Sequence, residues 1–488
     1  ATTSITISGD ASIDAEVDNT YVADADSVSG DAVALTNTSG STDATIGSAE
    51  TIGIDVPTID VDGNATKIEG TVDNDSITTA DTTTGDASAT DVSGIQAGID
   101  VTTLDVAGTA VVTGTVSNNK TATASSVTEE TSGTGADAVV NSGVTDGINS
   151  ATVNLGGDAT LTGSAQVGQV AGATITTGDA DASGTASGQI TGVSNTTGLD
   201  ANADLTVDAD AVLSIDTDAT NTSGGSTTSA TSTQTGAAIG FEQLGTFDVA
   251  GDFTIDADAQ ATLDATAISN ANDATAQSLG NGEITGAEFN ETSSSSGQTH
   301  VGGDASIVAD AVANFESDAT TTSGSAATAT STVGDIAGYR GDNFNGDFQI
   351  DGDATIDGSA NVTADADANN TQGDSTASAS TASSSGTAGI RVDADSLQIE
   401  GNAVIDGDVT ATLNASATSV GDSSADDSDA DAELSGAYGI HRNGDDSPKV
   451  GGNLDMDGDV LATVSSDATI TTGNADAESD ITGETIGI

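Results

Sequence analysis

The sequence predicts an all-β fold, a parallel β-solenoid, on three observations. Small or apolar residues alternate with polar ones, for example over 255–267 and 362–368, which is the period of a strand with one buried face. The polar residues are mostly Asp, Gly, Asn, Ser and Thr, which favour turns and strand edges over helices. A sequence marker recurs along the whole chain, and such self-similarity is typical of stacked repeats.

The marker has the form apolar-x-apolar-x-Gly-Asp/Asn-Ala-x-apolar, as in 5–13 and 348–356. Its ten copies lie 45 to 54 residues apart, so we interpret residues 1–488 as one continuous solenoid of ten repeats. A second marker, often Gly-Asp-Ala/Ser, follows the first after 21 residues in seven of the ten copies. The repeats begin near residues 5, 59, 104, 153, 199, 247, 299, 348, 397 and 448.

This fixed half-repeat predicts two coils in each repeat of about 49 residues, with variable insertions leaving the second coil as loops. Twenty coils spaced by about 4.8 Å would form a rod about 95 Å long. Ala is frequent at inward positions although it is a poor strand former, so we expect a core too narrow for large side chains. The alternatives are an array of small antiparallel sandwiches, whose cores would be poor at this length, and disorder, which the fixed register disfavours.

Composition limits the partners and the location of the protein. The chain carries 77 acidic and 6 basic residues, a formal charge of −71, which excludes a nucleic-acid surface and disfavours contact with anionic lipid. No run of about 18 apolar residues occurs, so we expect no membrane insertion. The chain starts at Ala1, which suggests that a leader has been removed. Together with the acidity, this favours a secreted protein on the surface of a prokaryote from a saline or marine habitat.

The sequence does not predict an enzyme. The six basic residues are scattered, whereas a polysaccharide lyase on a β-helix needs a cationic groove for its acidic substrate. His300 and His441 lie in different repeats, and no catalytic motif surrounds them. Ser, Thr, Asp and Glu are so common that a triad or a pair of carboxylates would arise by chance.

Calcium is the cofactor that the sequence indicates. Asp or Asn follows the marker glycine in nine of ten copies, and a second Asp follows four residues later in six. Stacked coils would align these side chains into ladders of carboxylates on the outer wall, and hard cations bind such oxygens. Acidity that keeps a fibre dispersed in salt is an equal alternative. The predicted metal ligands are Asp10, Asp14, Asp252, Asp256, Asp353, Asp357, Asp406, Asp455, Asp457 and Asp459.

The two ends of the chain match each other. Residues 484–488 read ETIGI, and the same pentapeptide at 50–54 stands nine residues before a marker glycine, Gly63. Joining one molecule's end to the next one's start keeps this distance of nine residues to Gly9. We therefore predict a head-to-tail homopolymer, since heterologous interfaces that do not close produce filaments. Lost caps or duplication of whole repeats would also leave such ends. The predicted interface residues are Ala1, Thr2, Ile5, Ile7, Thr485, Ile486, Gly487 and Ile488.

A structural subunit of an extracellular filament, sheath or surface layer is the favoured function. A cell-surface adhesin, binding for example a surface polysaccharide, is the first alternative, with Tyr339, Arg340, Phe344 and Phe348 as its best aromatic and basic cluster. An ice- or mineral-facing surface with regular Thr or Asp ladders is the second. The segments GDATIDG (352–358) and GDVTATL (407–413) resemble the repeat texture of β-helical surface adhesins and bactofilin-type polymers. This texture identifies no family and assigns no site residue.

Overall fold

The computed structural model describes residues 4–37, 50–128, 135–224, 227–290, 299–342, 347–381, 386–392, 396–421, 426–442 and 449–487. All regular elements in these ranges are β-strands, and the paired strands run parallel in three stacked sheets. The predicted parallel β-solenoid is confirmed. None of the described residues forms a helix with the length and apolar character needed to span a membrane.

The first sheet, which we call the long sheet, contains 11 strands, most of them 17 to 20 residues long. In the internal strands every second side chain is buried, because small or apolar residues alternate with Asp and Thr. The long sheet therefore has one solvated face and one core face. Its strands are Ala11–Ser27, Ala65–Thr84, Ala110–Thr128, Ala159–Thr177, Leu205–Asn221, Phe253–Ser269, Ala305–Thr321, Ala354–Asn370, Ala403–Ser419, Leu454–Asp457 and Val460–Ile470.

The second sheet, the short sheet, contains 10 strands of six to eight residues. Ala is the most frequent residue at its inward positions, as in Asp273–Gly280, where Ala274 and Ala276 are buried. The strands are Ala32–Asn37, Ala87–Val92, Ala136–Ser142, Ala180–Ala186, Thr227–Gln234, Asp273–Gly280, Ala326–Val333, Asp374–Thr381, Asp427–Leu434 and Asn474–Ile481.

The third sheet, the closing sheet, contains 16 strands. In the early repeats one strand of 11 or 12 residues crosses it, and in later repeats that strand is divided into two shorter ones. The strands are Ile5–Ile7, Glu50–Val61, Ile95–Val106, Thr145–Leu155, Ile190–Ala201, Ala238–Gln243, Thr246–Val249, Ile284–Asn290, Thr299–Val301, Ile336–Asp342, Asp347–Ile350, Thr387–Val392, Ser396–Ile399, Ala437–Arg442, Lys449–Val450 and Thr485–Ile486.

One repeat makes a single coil. In the sixth repeat the chain runs through Thr246–Val249 of the closing sheet, Phe253–Ser269 of the long sheet, Asp273–Gly280 of the short sheet and back to Ile284–Asn290. Each strand pairs with its equivalent in the next repeat, so that Phe253 aligns with Ala305. Residues 5, 59, 104, 153, 199, 247, 299, 348 and 397, which begin the repeats, lie in one column of the closing sheet.

The prediction of two coils in each repeat is therefore wrong. A strand of 17 residues cannot stack on one of eight without leaving much of its backbone unpaired, so the two half-repeats cannot be successive coils. The 21 residues between the two markers instead correspond to one strand of the long sheet together with its corner. Ten coils spaced by about 4.8 Å give a stack about 48 Å high, half the predicted length.

The two glycine markers occupy two different corners. The second marker lies between the long and short sheets, where most of its glycines adopt a positive φ, such as +102° at Gly224 and +136° at Gly178. The first marker precedes the long sheet, and its glycine instead allows adjacent coils to stack closely. A Cβ at Gly251 would lie 2.3 Å from Oδ1 of Asp204 in the preceding coil.

The core is divided into two lobes. The wide lobe lies between the closing sheet and the first half of the long sheet and holds large side chains. Phe247 and Phe253 pack there with ring centroids 4.9 Å apart, and Phe289 lies 5.6 Å from Phe247. The narrow lobe lies between the short sheet and the second half of the long sheet and is lined mainly by Ala. The expected narrow core is thus correct for one lobe and wrong for the other.

A glycine waist separates the two lobes. A further repeated motif in the closing strands, Gly followed by Ile, Val, Tyr or Phe, brings the closing sheet into backbone contact with the long sheet. A Cβ at Gly163 of the long sheet would lie 2.2 Å from the carbonyl oxygen of Gly192 in the closing sheet, and a Cβ at Gly358 would lie 2.6 Å from that of Gly389. The marker is therefore a steric requirement of the fold.

Candidate functional site

The predicted carboxylate ladder exists at the corner before the long sheet. Oδ1 of Asp204 accepts a hydrogen bond from the backbone N–H of Asp252 at 2.9 Å, and Oδ1 of Asp252 accepts one from the N–H of Asp304 at 2.9 Å. The same bond links Asp304 to Asp353 at 2.8 Å and Asp353 to Asn402 at 2.7 Å. Each side chain thus satisfies a backbone donor of the next coil, which explains why Asp or Asn follows the marker glycine.

The structure divides the ten predicted metal ligands between this ladder and the outer face of the long sheet. Asp10, Asp252 and Asp353 belong to the ladder, where one oxygen of each already accepts a backbone N–H. The other residues lie on or beside the exposed face: Asp14, Asp256, Asp357, Asp406, Asp455, Asp457 and Asp459.

On that face the structure brings together part of the predicted set. Asp357, Asp406 and Asp457 are neighbours in one column of three successive coils. Asp14 instead forms an ion pair with Lys67, with Oδ2 and Nζ 2.8 Å apart. The described residues contain no group of three or more Asp, Glu or His side chains arranged to hold a metal ion. Calcium binding stays a prediction.

Two substitutions of Asp304 test whether the ladder depends on the hydrogen bond or on the negative charge of this side chain. We expect Asp304→Ala to lower the free energy of unfolding by about 1 kcal/mol, because the N–H of Asp353 loses its acceptor. Asp304→Asn should change it by less than about 0.5 kcal/mol, because the amide oxygen remains and Asn402 already fills the ladder in this way. Urea unfolding of both variants measures the difference. Equal losses would mean that the negative charge, and not the hydrogen bond, is needed.

A second ladder of charged side chains lies on the outward face of the closing sheet. The column contains Glu242, Glu288, Arg340, Arg391 and His441 in five successive coils. The two Glu residues and Arg391 are less than one tenth exposed. Acidic side chains therefore occupy the middle coils of this column, and two Arg residues and His441 occupy the later coils.

The cations of this column are held by acidic corner residues. Nη1 of Arg340 lies 2.5 Å from Oε1 of Glu283. Arg391 donates two hydrogen bonds to the Asp335 carboxylate, at 2.7 and 2.8 Å, in the bidentate geometry that Arg favours. These pairs join adjacent coils and account for two of the six basic residues.

The carboxyls of this region are protonated more readily than usual. Burial, together with the charges of Glu242 and Asp100, raises the pKa of Asp146 to about 8. Burial and the Glu283 charge raise the pKa of Glu288 to about 8, although the Arg340 charge opposes this. Neither residue was predicted from the sequence, because nothing in the adjacent residues marks it as buried.

The aromatic and basic cluster proposed for adhesion is not a surface cluster. Tyr339 and Phe348 are buried in the wide lobe, and each packs against Phe289, at 5.9 and 5.7 Å between ring centroids. Arg340 is engaged by Glu283. Phe344 lies outside the described residues.

The two histidines lie in different halves of the closing sheet. Nδ1 of His300 lies 2.9 Å from Oδ1 of Asp248, and this hydrogen bond raises the pKa of the imidazole. His441 stacks on Tyr438 with ring centroids 4.4 Å apart, and burial lowers its pKa. His300 is thus bound to a residue of the preceding coil, whereas His441 packs on a residue of its own coil.

The first and last described coils have open faces. Val460–Ile470 pairs only with Ala403–Ser419, and Ala11–Ser27 only with Ala65–Thr84, within the described residues. The inward positions of both strands are partly exposed, whereas Leu413, which aligns with Val464, is fully buried.

Part of the predicted interface belongs to these two coils. Ile5 and Ile7 pair with Ile59 and Val61, and Thr485 and Ile486 pair with Ala437 and Tyr438. The carbonyl oxygen of Gly487 accepts a hydrogen bond from the N–H of Ile440. Ala1, Thr2 and Ile488 lie outside the described residues.

No protein family model, no curated protein and no solved structure matches this chain.

Proposed function

We propose that the protein is a structural, non-enzymatic subunit of an extracellular filament, sheath or surface layer, in which copies stack end to end. The observation that carries the proposal is the pair of open coil faces, each of which offers the edges of three sheets. A long exposed strand edge pairs readily with another strand unless Pro or Lys blocks it. Neither Ala11–Ser27 nor Val460–Ile470 contains Pro or Lys.

The two faces are compatible when they are aligned as internal coils are. Placing Leu454 beside Ala11 of a second copy, by the alignment that holds inside the chain, brings Met456 to Ile13, Val464 to Tyr21 and Ala468 to Ala25. All these positions face the core, and each of these four pairs is apolar. Stacking would therefore extend both lobes without placing a charge in either of them.

The wide lobe also leaves room at the last coil. A cavity of about 650 Å³ lies there, and its lining includes Ile356, Ile390, Ile405, Ile440 and Met456. In the first coil, Ile7 and Ile13 pack against the wide lobe but are only partly buried. In our proposal Ile7 and Ile13 of a second copy fill this cavity, because they occupy the positions that a following coil would provide.

The acidic outer face sets the conditions for assembly. Stacked carboxylates repel each other, and salt or divalent cations reduce that repulsion. This agrees with a saline habitat and gives calcium a role between coils that needs no single built site. The proposal therefore expects stronger assembly with salt or calcium.

Two neighbouring substitutions in the last coil test the proposal. Val464 faces the core and Ser465 faces the solvent in the same strand. We expect Val464→Lys to abolish assembly, because a buried lysine would occupy the stacking face, whereas Ser465→Lys should assemble as the unmodified chain does. Sedimentation velocity with and without millimolar calcium measures the polymer, and circular dichroism verifies folding. A chain that stays monomeric under every condition, or equal assembly of both variants, would overturn the proposal.

A further inference from the structure

The narrow lobe contains a buried lysine whose side chain reaches from the long sheet to an Asp of the short sheet. Lys120 lies in the long strand Ala110–Thr128, and Asp91 lies in the short strand Ala87–Val92 of the preceding coil. Nζ of Lys120 is 3.2 Å from Oδ1 of Asp91, and the two side chains are 1% and 0% exposed. Lys67, by contrast, is 40% exposed.

The side chains around the pair are uncharged, and among them the Ser76 hydroxyl favours the carboxylate form of Asp91. Ser76 and Gln169, which flank Lys120 in its column, are uncharged, and Val140 follows Asp91 in the short sheet. Oδ2 of Asp91 has no hydrogen-bond partner among the described residues. A buried ion pair with unsatisfied atoms is costly, because the desolvation of two ions exceeds their mutual attraction unless further hydrogen bonds complete the site.

We propose that Lys120 and Asp91 are the site of an intramolecular isopeptide bond. The amine Nζ attacks the carboxyl carbon Cγ of Asp91, a C–N bond forms, and one C–O bond breaks. The carboxyl hydroxyl leaves as water with one proton from the amine, so that the neutral acid and amine give one amide and one water. No oxidant, reductant or other reactant is needed.

The electrostatics of the lobe favour the reacting forms. Burial raises the pKa of Asp91 against the opposing charge of Lys120, and burial lowers the pKa of Lys120 against the opposing charge of Asp91. Both shifts are toward a neutral acid and a neutral, nucleophilic amine.

The product would be a covalent brace between the long and short sheets. Lys120 and Asp91 are 29 residues apart and belong to successive coils, so the bond would close a loop through the N-terminal part of the stack. Cross-links of this kind stabilise a fold by constraining its unfolded state. The inference does not depend on assembly into filaments.

Mass spectrometry of the unmodified, purified chain tests the proposal. The denatured chain should be one water lighter than its sequence mass. Trypsin should fail to cut after Lys120 and should release 68–340 as one looped peptide, while cleavage after the exposed Lys67 proceeds. Lys120→Met and Asp91→Ala should both have their full sequence masses. Lys120→Arg, which keeps the positive charge, should do the same.

The opposite result is equally clear. A chain with its full sequence mass, which trypsin cuts after Lys120 into 68–120 and 121–340, would overturn the proposal and leave a buried hydrogen-bonded pair. This test does not depend on whether any variant folds, because the mass and the tryptic peptides are measured on the unmodified chain.

Discussion

Acidification from about pH 8 to about pH 5 is expected to raise the free energy of unfolding, the opposite of ordinary acid denaturation. The reason is that folding raises the pKa of several carboxyls through burial and through stacked like charges. The pKa is raised to about 8 for Asp146 and Glu288, and to about 6 for Asp181, Asp258, Asp264 and Asp318.

The direction follows from proton linkage. A carboxyl with a raised folded pKa binds its proton more tightly in the folded chain than in the unfolded chain, where the pKa is about 4. Its stabilising contribution is fully present below about pH 4 and is lost as the pH rises through about 6 for the outer carboxyls and about 8 for the buried ones. Stability should therefore fall continuously across this range.

Asp146→Asn isolates the most buried of these groups. At about pH 8 we expect this variant to be more stable than the unmodified chain by about 2 kcal/mol or more, and to show a weaker pH dependence. Asp18→Asn removes the same charge from an exposed position and should change stability by less than about 0.5 kcal/mol. Urea midpoints at several pH values measure both variants. A midpoint that falls on acidification would contradict this account of the carboxyls.

Gly163→Ala is expected to destabilise the fold by about 3 kcal/mol or more, although it adds only one methyl group. That group would lie 2.2 Å from the carbonyl oxygen of Gly192 and 2.4 Å from Cγ2 of Val193. Since the oxygen belongs to the backbone of the facing sheet, the two sheets must separate along the waist, and both lobes lose packing.

Gly172 provides a matched control in the same strand. A Cβ at Gly172 meets nothing within 4 Å, so Gly172→Ala should be neutral or stabilise the strand by about 0.5 kcal/mol. Thermal and urea unfolding of the two variants compare them directly. Similar effects at both positions would mean that the waist is not in close contact.

The fold class could be predicted because it depends on local alternation and on a long repeat. The columns of the closing sheet follow from the same marker, because every marker residue meets its own equivalent in the next coil. The number of coils could not be predicted, because the second glycine marker looks like the start of a new coil. Only the unequal strand lengths, 17 and 8 residues, show that it is a corner.

The candidate site was partly predictable for the same reason. The Asp and Asn ladder follows directly from a repeated residue, but its hydrogen bond to the backbone of the next coil depends on the corner geometry. Glu242, Glu288 and Arg340 are not repeats of one residue type, so their alignment in one column could not be inferred from composition. Lys120 likewise stands alone in its column and faces Asp91 only after both sheets have formed.

Electron microscopy of the purified chain tests the central claim most directly, namely that single-coil repeats stack from one copy to the next. We expect filaments whose axial repeat is about 48 Å, the height of ten coils at about 4.8 Å. Discrete particles of that height, present with and without calcium at every concentration, would contradict end-to-end stacking. An axial repeat of about 95 Å would contradict one coil per repeat.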